Sequence, residues 1–139
     1  MKGFFVFNLE RTIYYMDINI SWYKEEQINR TIKNLRQRNI DGFFVNDDNE
    51  LKVLLKQLID DNSVVGVGDS MTLFETGIIE FLREGNYTFL DKYREGITSE
   101  EKKGIYIQNF SADIFMCSTN ALTESGELYL SLIHISDGA

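Results

Sequence analysis

The sequence predicts an α/β fold, a three-layer αβα arrangement around a mostly parallel sheet, and three observations carry that expectation. Segments with apolar residues at three- and four-residue spacing alternate with short apolar runs. The runs at 42–45, 63–67 and 112–117 are largely apolar along their length rather than alternating, as strands covered on both faces are. The connections are short, and none of the 139 residues is a proline. Open sheets of this class bind ligands beyond the carboxyl ends of their strands, which here means the turns after Val67, Leu90 and Cys117.

Trp22, Ile28, Ile32 and Leu35 recur at helical spacing over 22–38, which predicts an amphipathic helix. Lys24, Arg30, Lys33, Arg36 and Arg38 on the same helix follow Glu25 and Glu26 and read as a solvated face. Gly42-Phe43-Phe44-Val45 is a short strand. Residues 46–49 then offer N-caps for a second helix marked by Leu51, Leu54, Leu55 and Leu58. After the strand at 63–67, a third helix over 71–84 presents Leu73, Ile78, Phe81 and Leu82 to the core and stops at Gly85-Asn86. A strand at 87–90 follows. Thr98-Ser99-Glu100-Glu101 matches a capping box that opens a fourth helix to about residue 109. The last strand is 112–117, with Cys117 expected as a small core residue.

Charge and composition narrow the function classes. A net charge of −8 argues against nucleic acid, whose phosphates need clustered cations. No apolar run approaches the roughly 20 residues of a membrane span. The single cysteine leaves no disulfide framework and no metal or iron–sulfur cluster held by this chain's own Cys and His, and it suits a reducing cytoplasm. The one histidine, His134, stands near the end of the chain.

Val64-Val65-Gly66-Val67-Gly68-Asp69-Ser70-Met71-Thr72 is the stretch richest in chemical meaning. A strand ends in alternating glycines and opens into a helix, which leaves backbone N–H groups aimed at an anion and lets it approach closely. Gly66, Gly68, Asp69, Ser70 and Thr72 are therefore the candidate anion-binding residues. The alternative is a plain β-to-α turn with Ser70 or Asp69 as N-cap.

Gly66 to Gly77, Phe89-Leu90-Asp91-Lys92-Tyr93, Ser111-Ala112-Asp113 and Ser118-Thr119-Asn120-Ala121-Leu122-Thr123-Glu124-Ser125-Gly126-Glu127-Leu128 together resemble the lactate-utilisation (LUD) domain family. The likeness runs from about Trp22 to Tyr129, and its last run is its most specific part. The resemblance implies a fold similar to the superfamily of ribose-5-phosphate isomerase and CoA transferases, in which the glycine turn cradles phosphate or carboxylate. It also implies a role in oxidising L-lactate, or a similar small 2-hydroxy acid, to pyruvate within a complex whose partner subunits carry the iron–sulfur centres. On that reading Asn120, Thr123 and Glu124 line the opposite wall of the site, and Glu75 or Glu124 serves as general base if burial raises its pKa. The alternative is a non-catalytic metabolite- or phosphate-binding or scaffold domain. Acyl or CoA transfer by a glutamate nucleophile follows from the fold analogy alone.

The chain departs from the family in two places. Asp69 stands where a second glycine is usual, and it would repel an anion unless it points away or acts through a cation. After Leu128 the family's Asp-Gly and Asn-Arg segment is missing. Residues 1–15 are accordingly expected to be a non-native or disordered leader before Met16, and 16–129 a partial LUD domain. Residues 130–139 are expected to be a sequencing artefact, since Leu130 to Ile135 back-translate into the end sequence of a transposon used in preparing sequencing libraries, the other reading being a genuine edge strand.

Overall fold

A computed structural model describes residues 3–8 and 18–130, and in it the chain forms two compact units. The first joins residues 1–51 to 119–139, and the second is 52–118. The alternative starts near Met16 and the segment 131–139, with His134, lie outside the described residues.

The first unit opens with strand β1 (Gly3–Asn8), helix α1 (Ile18–Gln37) and strand β2 (Ile40–Val45). β1 pairs with β2 in parallel, from Gly3 opposite Ile40 to Asn8 opposite Val45, so the three elements form a β-α-β unit. β1 lies before the 16–129 expected for the domain. Its run Gly-Phe-Phe-Val-Phe-Asn is nevertheless rich in residues that suit a pleated surface. Ile28 and Leu35 of α1 are buried, and Ile32 packs where a Cβ on Gly42 would lie 2.8 Å from it. Trp22, read from its spacing as part of the buried stripe, is 65% exposed, because the buried stripe begins six residues later at Ile28.

Helix α2 (Asp48–Leu58) carries the chain from the first unit into the second. Asp47 caps it by accepting from the amides of Asn49 and Glu50, each at 2.8 Å. The first unit ends in a hairpin of β6 (Ala121–Leu122) and β7 (Leu128–Tyr129), paired antiparallel.

The second unit contains β3 (Val64–Val67), α3 (Met71–Glu75), α4 (Ile78–Glu84), β4 (Thr88–Phe89), α5 (Ser99–Gln108), a 3₁₀ turn (Asn109–Ser111) and β5 (Ile114–Met116). Its sheet runs β4-β3-β5, entirely parallel, with β3 in the middle. Val65 and Val67 of β3 are fully buried, and Leu73, Ile78, Ile79, Phe81 and Leu82 of the two helices are buried as well. The α/β class and its parallel pairings are thus present, divided between separate sheets, with the hairpin as the one antiparallel pair among the described residues.

Two expectations need correction. The helix over 71–84 is two helices, broken at Thr76-Gly77, where Gly77 takes φ +67° and caps α4. Cys117 is exposed rather than buried, because it follows β5, which pairs only with β3 among the described residues. The capping box forms as expected: Thr98 accepts from the amide of Glu101 at 3.2 Å, and Glu101 accepts from the amide of Thr98 at 2.8 Å.

Candidate functional site

In the second unit the turn after β3 is set by backbone bonds before any side chain acts. The Gly68 amide donates to Met116 O at 2.8 Å, which ties the turn to β5. Both glycines of the turn meet protein. A Cβ on Gly66 would collide with Asn109 Oδ1, and one on Gly68 would lie 3.1 Å from Cys117 Cβ. Ser70 is the N-cap of α3, but its side chain makes no cap; it is buried and its Oγ donates to Ser118 Oγ at 2.8 Å. Thr72 is exposed and its carbonyl accepts from Thr76 Oγ1 at 2.6 Å, while Glu75 is exposed at the end of α3.

Asp69 stands out from this turn, its side chain 69% exposed, and reaches a lysine that is the most deeply buried charged group described. Lys92 is 1% exposed, with Nζ 2.7 Å from Asp69 Oδ1. The same ammonium lies 5.1 Å from the ring centre of Tyr93 and 4.9 Å from that of Tyr106, within cation–π range of both. Tyr93 Oη donates towards Gly68 O and Asp69 Oδ1, each at 3.2 Å, and Tyr106 Oη towards Asp69 Oδ2 at 3.5 Å. One carboxylate therefore receives an ammonium and two phenols.

The segment bearing Lys92 is itself fastened. Asp91 accepts from Arg83 Nε at 2.7 Å and from the Tyr93 amide at 2.9 Å, and the Tyr93 ring meets Phe74 edge-on at 4.7 Å. Partial burial pushes the Asp69 carboxyl up, but the bond and charge of Lys92 and the bond from Tyr93 outweigh it, so its pKa lies below the usual value. Burial first, and then the negative charge of Asp69, push the Tyr93 and Tyr106 phenols up. Beside β4 a cavity of about 360 Å³ is lined by Phe89, Leu90, Arg94, Glu101 and Ile105, among others. Arg94 and Glu101 pair across it at 2.6 Å.

The other candidate residues belong to the first unit, where they form the hairpin turn and its seat on α1. Arg30 pairs with Glu124, Asn34 Nδ2 donates to Glu124 O at 2.7 Å, and Arg38 Nε donates to Ser125 O at 3.1 Å. Thr123 Oγ1 accepts from the Glu127 amide at 3.0 Å, and the Asn120 amide donates to Tyr129 O at 3.1 Å. Gly126 takes φ +85°, and a Cβ there would lie 3.4 Å from the Leu35 backbone nitrogen. The bond from Arg30 leads the causes that hold the Glu124 carboxyl below its usual pKa. Two cations that sequence reasoning assigns to a solvated face thus serve as the hairpin's anchor.

Lys92, Tyr93 and Tyr106 are the residues that sequence reasoning passes over as functional candidates. The available signal was a lysine in the turn that follows Leu90, at the end of a strand where such sheets bind ligands. Among the described residues no three His, Cys, Asp or Glu side chains gather as a metal would require, and no helix is long and apolar enough to cross a membrane. No curated protein and no solved structure matches the chain. The model of the LUD domain matches residues 28–131, which span β2 to β7 and both clusters, and the chain therefore belongs to the LUD-domain family.

Proposed function

We propose that this LUD-domain chain supports the oxidation of L-lactate, or of a similar small 2-hydroxy acid, to pyruvate as a subunit of a redox complex. Its second unit binds the acid's carboxylate at the carboxyl ends of β3 and β4. The observation that carries the reading is the buried Lys92 ammonium, 1% exposed at the turn where such sheets bind ligands. A cation held out of water attracts a carboxylate far more strongly than a surface lysine does. The turn of Gly66, Gly68, Asp69, Ser70 and Thr72 frames that position. Electron acceptance belongs to iron–sulfur partner subunits, in keeping with the family's link to lactate utilisation.

A second reading, a non-catalytic metabolite- or phosphate-binding domain, is favoured by one observation. Glu124 is bonded to Arg30 and its pKa is lowered, the reverse of what a general base requires. Calorimetric titration of the chain with L-lactate, pyruvate and inorganic phosphate tests both readings. Saturable binding of lactate or pyruvate that Lys92→Met abolishes supports the first, phosphate alone supports the second, and binding unaffected by Lys92→Met overturns the placement of the site.

A further inference from the structure

We infer that Asp69 is a built-in occupant of a carboxylate-binding site formed by Lys92 Nζ, Tyr93 Oη and Tyr106 Oη, and that a ligand monocarboxylate binds by taking its place. The inference rests on the carboxylate reading proposed above and adds how the site is filled when no ligand is bound.

The asymmetry of burial is the first support. The donor side is fixed: Lys92 is 1% exposed, and its ammonium is ion-paired with Asp69 at 2.7 Å but makes no hydrogen bond among the described residues. The acceptor side is a side chain 69% exposed on a turn, so water is open to it. An ion pair that existed only to neutralise a buried lysine would be expected to bury both partners, since an exposed carboxylate in high dielectric gives little in return.

Convergence is the second support. The carboxylate of Asp69 is met at both oxygens: Oδ1 pairs with the Lys92 ammonium at 2.7 Å and accepts from Tyr93 at 3.2 Å, and Oδ2 accepts from Tyr106 at 3.5 Å. Donors to both oxygens of one carboxylate make a recognition geometry for that group, whichever molecule supplies it. The two rings flank the ammonium, so the site has an apolar rim against which a short aliphatic acid packs. A phosphate dianion fits less well, because one ammonium and two neutral phenols leave a net negative charge.

Exchange conserves the chemistry: one carboxylate leaves the ammonium for water and another enters, with no bond made or broken and no proton transferred. The tethered side chain acts as a permanent competitor that weakens apparent affinity by the fraction of time it occupies the site.

Chemical rescue tests this on the full chain with sodium acetate as the probe and sodium chloride at matched ionic strength as the control. Asp69→Ala leaves the ammonium without its carboxylate, so the thermal midpoint falls, and acetate raises it again by mass action. The variant binds acetate about tenfold or more tighter than the unmodified chain, and the gain vanishes in Asp69→Ala/Lys92→Met. Should Asp69→Ala not fold, Asp69→Asn takes its place. In the unmodified chain, saturating acetate moves the Asp69 carboxyl carbon resonance to that of a solvated aspartate. Acetate that protects the Ala or Asn variant no better than the unmodified chain, or an Asp69 resonance that acetate does not move, overturns the inference. If lactate binds through Lys92 while acetate rescue fails, the proposed function stands without it. If rescue succeeds while neither lactate nor pyruvate binds, the site stands and the lactate reading falls.

Discussion

At residue 69 a carboxylate stands where a close anion turn would favour glycine, and the structure resolves the conflict by giving it a cation. The pH dependence follows from the direction of its shift. The folded carboxyl titrates below its ordinary value near 3.8, so the pair's contribution is in place above that pH and is lost as pH falls through the folded pKa. The urea midpoint of Asp69→Asn should lie below that of the unmodified chain at pH 7, and the two should converge as pH falls below the ordinary carboxyl value. Gly66 makes a second prediction. A methyl there meets Asn109 Oδ1, so Gly66→Ala should cost about 1–3 kcal/mol in equilibrium unfolding, and Asn109→Ala in the same chain should recover most of it. The glycine turn was legible in the sequence because its chemistry is local. Its partner Lys92 was not, since 23 residues separate it from Asp69 and only tertiary structure joins them.

Elements were legible where a local rule dictates them. The capping box at Thr98 and Glu101 and the leucine spacing of α2 are satisfied within a few residues of chain, and both helices form where expected. The break at Gly77 is not legible in the sequence because apolar spacing continues across it, and only the left-handed conformation of that residue reveals it. Gly77→Ala should cost about 1–2 kcal/mol, measured as a lower thermal midpoint, because the residue must keep φ +67° with a Cβ and Lys52 Nζ lies 3.0 Å from that position. The hairpin of β6 and β7 was hidden for a different reason. Its strands are two residues each, too short for an alternation pattern, and its order comes from α1. Asn34→Ala removes a half-buried donor to Glu124 O and should destabilise by about 1 kcal/mol, with faster amide exchange at Thr123 and Gly126 than elsewhere in the first unit.

For the whole molecule, class and alternation of elements follow from composition and periodicity, while the division into two compact units depends on which strands pair, and that is a non-local property. Each unit leaves apolar surface. In the second, β5 pairs with β3 alone among the described residues, and Phe115 on it is 51% exposed. An unpaired flank with an exposed aromatic is a template for association between copies. Phe115→Lys should raise the concentration at which light scattering first grows, with little change in thermal midpoint. With a net charge of −8, repulsion between copies opposes that association at neutral pH, and scattering should be greatest near the sequence pI of 4.6.

The seat of the hairpin on α1 bears on how relatives of this chain should be read. Glu124, Ser125 and Gly126 form a joint whose other half is Arg30, Asn34 and Arg38, one helical turn apart on a single face. A homologue that keeps the turn must keep a donor at the place of Asn34, and one that loses either half should lose both. The stretch that makes this family easiest to recognise therefore diagnoses a piece of carpentry, and two chains sharing it share a frame before they share a substrate.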